Sequence, residues 1–258
     1  LAKCRIVITV AVLGGRPRFG RNRSLHHREE VSAPMFKALF KRRTQPKAEA
    51  PRADPVFRSA FGGLWIDRAD AMALLEARAQ ANPQVRRFRT HLESFIVNGY
   101  TVIEGCVSHP AIDQYLSMLS AARHDAACPL LASVPASGPQ DKTVVPLAEA
   151  DPGAPLTKVL DTYFWLPSAL ELVFAPELAA FIETLLDERP LAFQGLHFER
   201  GSTQAIHQDT AYVVLDEPMK LCASWIALED IESGSGELVY YQGSHRLPDW
   251  RYSGRFKH

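Results

Sequence analysis

The chain has 258 residues, 47% of them hydrophobic, and its 29 basic residues balance 29 acidic ones. That length and apolar content are enough for one sizeable core, so the expectation is a single domain with appendages. Zero net charge excludes a global field that would draw the chain to nucleic acid, and no apolar run reaches the roughly 18 residues of a membrane-spanning helix.

The charge is uneven along the chain. Residues 1–43 carry Lys3, Arg5, Arg16, Arg18, Arg21, Arg23, Arg28, Lys37, Lys41, Arg42 and Arg43. Residues 6–13 are apolar, but the arginines that follow include no small-residue cleavage site, which disfavours a secretory leader. Met35-Phe36-Lys37 reads as a natural beginning, so residues 1–34 are set apart as an upstream basic segment outside the domain. Residues 35–66, with Pro46, Pro51 and Pro55, read as a linker, and residues 67–258 as the domain. Cys4, Cys106, Cys128 and Cys222 are scattered without a C-x-x-C pair. This argues against a zinc site or disulfide framework and fits a reducing, cytoplasmic setting.

From residue 67 the pattern is helical. Ala69, Met72, Ala73 and Leu75 predict an alanine-rich helix that stops before Asn82-Pro83, where proline restricts the preceding residue. Phe88, Leu92, Phe95 and Ile96 predict a second helix, stopped by Asn98-Gly99. Residues 100–107 read as a short strand. Ser108 caps a third helix with a stripe of Ile112, Tyr115, Leu116 and Leu119. Residues 128–156 hold six prolines (Pro129, Pro135, Pro139, Pro146, Pro152, Pro155) and read as a long irregular loop. Lys158-Val159-Leu160-Asp161 reads as extended, and residues 176–186 as an amphipathic helix with Leu178, Phe181, Ile182 and Leu185 on one face. The period then switches to strands: 192–199, 207–215, 221–231 and 238–242. Helices followed by strands argue for an α+β fold.

Within the strand-rich part lies Ser202-Thr203-Gln204-Ala205-Ile206-His207-Gln208-Asp209-Thr210. In extended backbone, residues i and i+2 point to the same side, so the His207 imidazole and the Asp209 carboxylate can converge on one point. A nitrogen and a hard oxygen suit divalent iron, and two histidines with one carboxylate and open positions are the set used by non-haem Fe(II) oxygenases. Alone, His-x-Asp is also a common surface turn.

Four motifs in order change that weighting. Gly201-Ser202-Thr203-Gln204 precedes His207-Gln208-Asp209; then come Ser224-Trp225-Ile226-Ala227-Leu228-Glu229-Asp230, Gly236-Glu237-Leu238 and Gly243-Ser244-His245-Arg246-Leu247-Pro248. Together with Phe95-Ile96-Val97-Asn98-Gly99-Tyr100, this series resembles the phytanoyl-CoA dioxygenase family across roughly residues 90–250. The resemblance implies an iron(II)- and 2-oxoglutarate-dependent oxygenase using O2, built on a double-stranded β-helix (jelly-roll, cupin-like) core preceded by flanking helices. It implies His207 and Asp209 as the first two metal ligands, Lys158 as a contact to 2-oxoglutarate and Trp225 as a wall of the same pocket. An aspartate rather than a small residue at 209 implies hydroxylation rather than halogenation. A small-molecule or acyl substrate is implied, with selectivity expected from residues 128–156 and from Ala211, Tyr212 and Val213.

Alternatives stay open at this stage. Lys158 reads equally as a solvated lysine, and Trp225 as ordinary core. The resemblance calls for a third ligand, a histidine, and an arginine pairing with the cosubstrate carboxylate; neither is found before His258, so the β-helix is expected to be incomplete, as in a fragment. His245 is a weak substitute, since in the family this Gly-Ser-His lies in a turn. Arg251 and Arg255 do not follow a suitable histidine strand. His197 lies one strand before the metal pair without ligand spacing. A catalytically inactive β-barrel, or a cupin-like metal module using His207, Asp209 and His245, are the competing readings. The sequence is silent on oligomeric state.

Overall fold

In the computed structural model, residues 6–12, 56–58, 62–138, 141–154, 156–200, 206–209, 213, 220–235 and 237–247 are described. Helices and one antiparallel sheet build an α+β fold. The helical part opens with α1 (Ala71–Ala81), which ends where Asn82 turns extended before Pro83. The same Asn82 then caps α2 (Pro83–Arg87), its Oδ1 accepting the Gln84 backbone N–H at 2.9 Å while Pro83 occupies the first turn. α3 (Arg89–Asn98) stops at Gly99, whose φ of 86° is left-handed. Ser108 caps α4 (His109–Arg123) through Ala111 N–H, and Tyr115 and Leu119 form its buried stripe. α5 (Pro167–Val173) and α6 (Pro176–Leu186) both begin on proline.

The core lies where these helices meet one face of the sheet. Phe181 of α6 meets Phe88 edge-on at 5.5 Å and Phe95 at 6.2 Å between ring centroids. Burying a side chain of this size stabilises by about 1.5–3 kcal/mol. Leu64, Trp65 and Ile66 also belong to this core, and the Trp65 indole N–H donates to the Thr184 carbonyl at 3.1 Å. The linker expected over residues 35–66 therefore ends earlier than its sequence suggested; residues 35–55 lie outside the described residues.

Six strands make one sheet: β1 (Ile6–Val12), β2 (Leu131–Gly138), β3 (Asp141–Pro146), β4 (Lys158–Leu160), β5 (Leu191–Phe198) and β6 (Leu221–Ala227), in spatial order β3-β2-β4-β5-β1-β6. Every pairing is antiparallel. Three departures from the sequence reading stand out. Ile6–Val12 pairs with β5 and β6, within the sheet rather than outside the domain. Its composition of β-branched residues suits a strand, and its partners lie far away in sequence.

The proline-rich stretch expected as irregular loop forms the β2–β3 hairpin. Only Ala132 and Ser133 of β2 pair with β4, so the missing N–H of Pro135 interrupts no bond on that side. Residues 100–107 and 238–242 hold no strand, and the strand of 221–231 ends at Ala227. The described strands thus form a single open sheet, not the two facing sheets of a jelly roll.

Candidate functional site

Alternation along the strands separates two faces of the sheet. Ala132, Val159, Cys222 and Ile226 face the helices. On the other face, Phe198 is the centre of a smaller cluster with Leu196, Trp225 and Ile231. Lys158 pairs with Phe198 in register, and its ammonium sits 5.0 Å from the centre of the Phe198 ring. The residues that the family resemblance assigned to cosubstrate binding, Lys158 and Trp225, therefore meet on the same phenylalanine. Lys158 is 7% exposed, so it is not a solvated surface lysine. Burial and the nearby Lys142 ammonium hold it at about 8, below the usual lysine range.

His207 and Asp209 follow β5. The His207 Nε2 lies 3.4 Å from the Asp209 Oδ1, with the imidazole 19% and the carboxylate 54% exposed. Two donors each about 2.1 Å from one divalent ion and at right angles to each other stand about 3 Å apart. The pair therefore fits two neighbouring positions around a metal ion. Among the described residues, no group of three His, Cys, Asp or Glu side chains completes a metal site. Asp209 also acts on Tyr240: burial first, then this negative charge, pushes the tyrosine hydroxyl up to about 12.

His245 does not join the metal pair. Its Nε2 is 3.2 Å from the Ile96 carbonyl, which can only accept, so Nε2 carries the proton. Arg246 donates to the Ile96 and Val97 carbonyls at 2.7 and 3.2 Å, and Gly243 N–H to the Asn98 carbonyl at 2.8 Å. The Gly-Ser-His-Arg turn thus satisfies the orphan carbonyls at the C-terminus of α3, where a cation is favoured. This removes the cupin-like reading that used His245 as a ligand.

His197 lies on the helix side, 1% exposed, with Nδ1 3.1 Å from the Tyr115 hydroxyl. Beyond it, Arg123 donates to Glu199 Oε1 at 2.7 Å and to the Ala150 carbonyl at 3.1 Å. Burial alone would raise Glu199; the hydrogen bonds and charges of His197 and Arg123 outweigh it and hold the carboxyl at about 2. This network and Lys142 escape a reading of the sequence, because their partners are brought together only by long-range pairing.

Gly201, Ser202, Thr203, Gln204, Ala211, Tyr212, Gly236, Pro248, Arg251 and Arg255 lie outside the described residues, and Val213 is buried.

The α+β chain thus sets a histidine and a carboxylate side by side after a sheet strand, with a buried lysine and a tryptophan on that sheet. The family model for phytanoyl-CoA dioxygenase (PhyH) matches residues 95–255, more than half of the chain, and the protein belongs to that family. No curated protein and no solved structure matches it significantly. Among the described residues, no helix is long and apolar enough to cross a membrane.

Proposed function

We propose that this protein is an Fe(II)- and 2-oxoglutarate-dependent dioxygenase that hydroxylates a small-molecule or acyl substrate. The observation that carries the reading is the 3.4 Å approach of His207 Nε2 to Asp209 Oδ1 inside the region matched by the family. His207 and Asp209 would hold the iron together with a third donor from outside the described residues. When bound, iron with 2-oxoglutarate and O2 supplies the oxidising power for hydroxylating a C–H bond.

The protein's own groups have separable tasks. His207 would offer its Nε2, and Asp209 a carboxylate oxygen, to the metal. Lys158 offers a charge to a cosubstrate carboxylate, a stronger interaction in a buried site than in water. Phe198 and Trp225 wall off solvent beside it. In this reading the sheet is one half of a jelly roll whose second sheet covers the Lys158 face. The β2–β3 hairpin and residues 211–213 set substrate selectivity, and the free thiols of Cys106, Cys128 and Cys222 suit a reducing compartment such as the cytoplasm.

The test is Fe(II) binding and succinate release from 2-oxoglutarate by the whole chain, beside His207→Ala and Asp209→Ala. Iron binding and succinate release that are lost in both variants support the proposal. Unchanged iron affinity in both variants overturns the site. The incomplete ligand set among the described residues favours a second reading, an inactive metal-binding module; iron bound through His207 and Asp209 without succinate release would establish it.

A further inference from the structure

The face of the sheet away from the helices carries a second cation that neither the metal pair nor the family match explains. In register, Lys158 of β4 lies opposite Ser133 of β2, and Ser133 lies opposite Val144 of β3. Lys142 stands two residues before Val144 on the same strand, so it projects from the same face as Lys158 and Phe198. Its side chain extends toward Lys158 closely enough for the two amino groups to interact directly. Neither lysine forms an ion pair with any carboxylate among the described residues. Lys158 lies over the face of Phe198.

Two like charges facing each other, one of them buried and neither neutralised by a described residue, are unfavourable in the empty protein. A structure that keeps them so is arranged to accept a negative group between them. We propose that Lys142 and Lys158 form a two-cation binding point for an oxyanion, a carboxylate or a phosphate, on the face of the sheet away from the helices. Lys142 is then a specificity-determining residue contributed by the β2–β3 hairpin. The oxyanion belongs either to the dicarboxylate cosubstrate or to an anionic group on the substrate. Only this choice rests on the oxygenase reading; the binding point itself does not.

The experiment is calorimetric titration of the iron-free full-length chain with 2-oxoglutarate, with succinate and with inorganic phosphate, repeated on Lys142→Gln. Lys142 is exposed at the sheet edge, so this variant is expected to fold. Saturable binding that weakens about tenfold in Lys142→Gln, as for loss of one charged hydrogen-bond donor, supports the proposal. Lys158→Met, which keeps the apolar volume, is expected to lower affinity further; a thermal melt distinguishes lost binding from lost folding. Preference for the dicarboxylates assigns the site to the cosubstrate, and preference for phosphate assigns it to the substrate. Equal binding by wild type and Lys142→Gln, or no saturable binding of any of the three anions, overturns the proposal. Anion binding that persists while no succinate is released with iron present leaves this site standing and sinks only the oxygenase reading.

Discussion

Replacing Gly99 by alanine tests the clasp between the end of α3 and the Gly243–Arg246 turn. Gly99 has φ of 86°, and a Cβ built there would stand 2.8 Å from Cγ of His245 and closer still to its Nδ1. The left-handed backbone alone costs an alanine about 1–2 kcal/mol. Displacing the imidazole also breaks the Nε2–H bond to the Ile96 carbonyl, a further loss of about 1–2 kcal/mol with the crowding. The total, about 2–4 kcal/mol, corresponds to a fall in melting temperature of roughly 4–16 °C for a domain of this size. Gly105 supplies the control: its φ is 66°, but an added Cβ would meet nothing within 4 Å. Gly105→Ala therefore carries the backbone cost only. In a His245→Ala background, Gly99→Ala is expected to cost no more than Gly105→Ala, which gives a coupling of about 1–2 kcal/mol between positions 99 and 245. Circular dichroism melts and urea titrations measure all of these. Equal costs for Gly99→Ala and Gly105→Ala, with no coupling to His245, would refute the clasp.

The remaining expectations concern pH and the buried network. Burial, and then the Arg246 charge, lower the His245 pKa below its usual value. The folded state thus binds fewer protons there, and the stability this group contributes is present above about pH 6.5 and lost as pH falls through the depressed value. Urea midpoints of wild type and His245→Asn between pH 5 and 8 should converge at the acid end; parallel curves would count against it. Glu199 runs through a lower window: held at about 2, well below its ordinary 4.5, it contributes roughly 3 kcal/mol above pH 4.5 that disappears toward pH 2. Glu199→Gln leaves Arg123 half-paired in a buried setting and should cost about 2–4 kcal/mol at pH 7, read from the urea midpoint. A loss under 0.5 kcal/mol would show that Arg123 finds another partner.

What the sequence reveals here follows the range of the forces involved. α6 has its expected bounds because Pro176 and the Leu178, Phe181, Ile182, Leu185 stripe are local signals. Asn82-Pro83, Gly99 and Ser108 punctuate the helices for the same reason. The β2–β3 hairpin was hidden by prolines, whose harm to a strand depends on which side needs an N–H. The place of Ile6–Val12 depended on partners at the other end of the chain, and residues 100–107, with β-prone Tyr100, Val102 and Ile103, had none. The strand expected over residues 207–215 is absent at 207–209, where Asp209 enters a helical turn, so the 3.4 Å approach of His207 to Asp209 does not come from the strand alternation the sequence suggested. Lys142 acquires meaning only through the β3-β2-β4 order, which no local pattern encodes.

The sheet separates two ways of holding charge. On its helix side, Glu199 lies between His197 and Arg123, and Tyr115 completes the set through His197 Nδ1 at 3.1 Å. Every strong charge there has a protein partner, so the network fixes helix α4 to the end of β5 and leaves little reason for a ligand. On the opposite side, Lys158 is buried almost as deeply, with an aromatic ring beneath it and another lysine beside it. No described carboxylate pairs with it, and a buried charge costs stability unless some group pairs with it. The same β5 residues divide these roles by parity: His197 points to the helices, while Phe198 supports Lys158 and Trp225. A strand slipped by one residue would exchange the two faces. The register of β4 against β5, with Lys158 opposite Phe198 and Val159 opposite His197, is therefore what places the Lys158 charge on the face away from the helices.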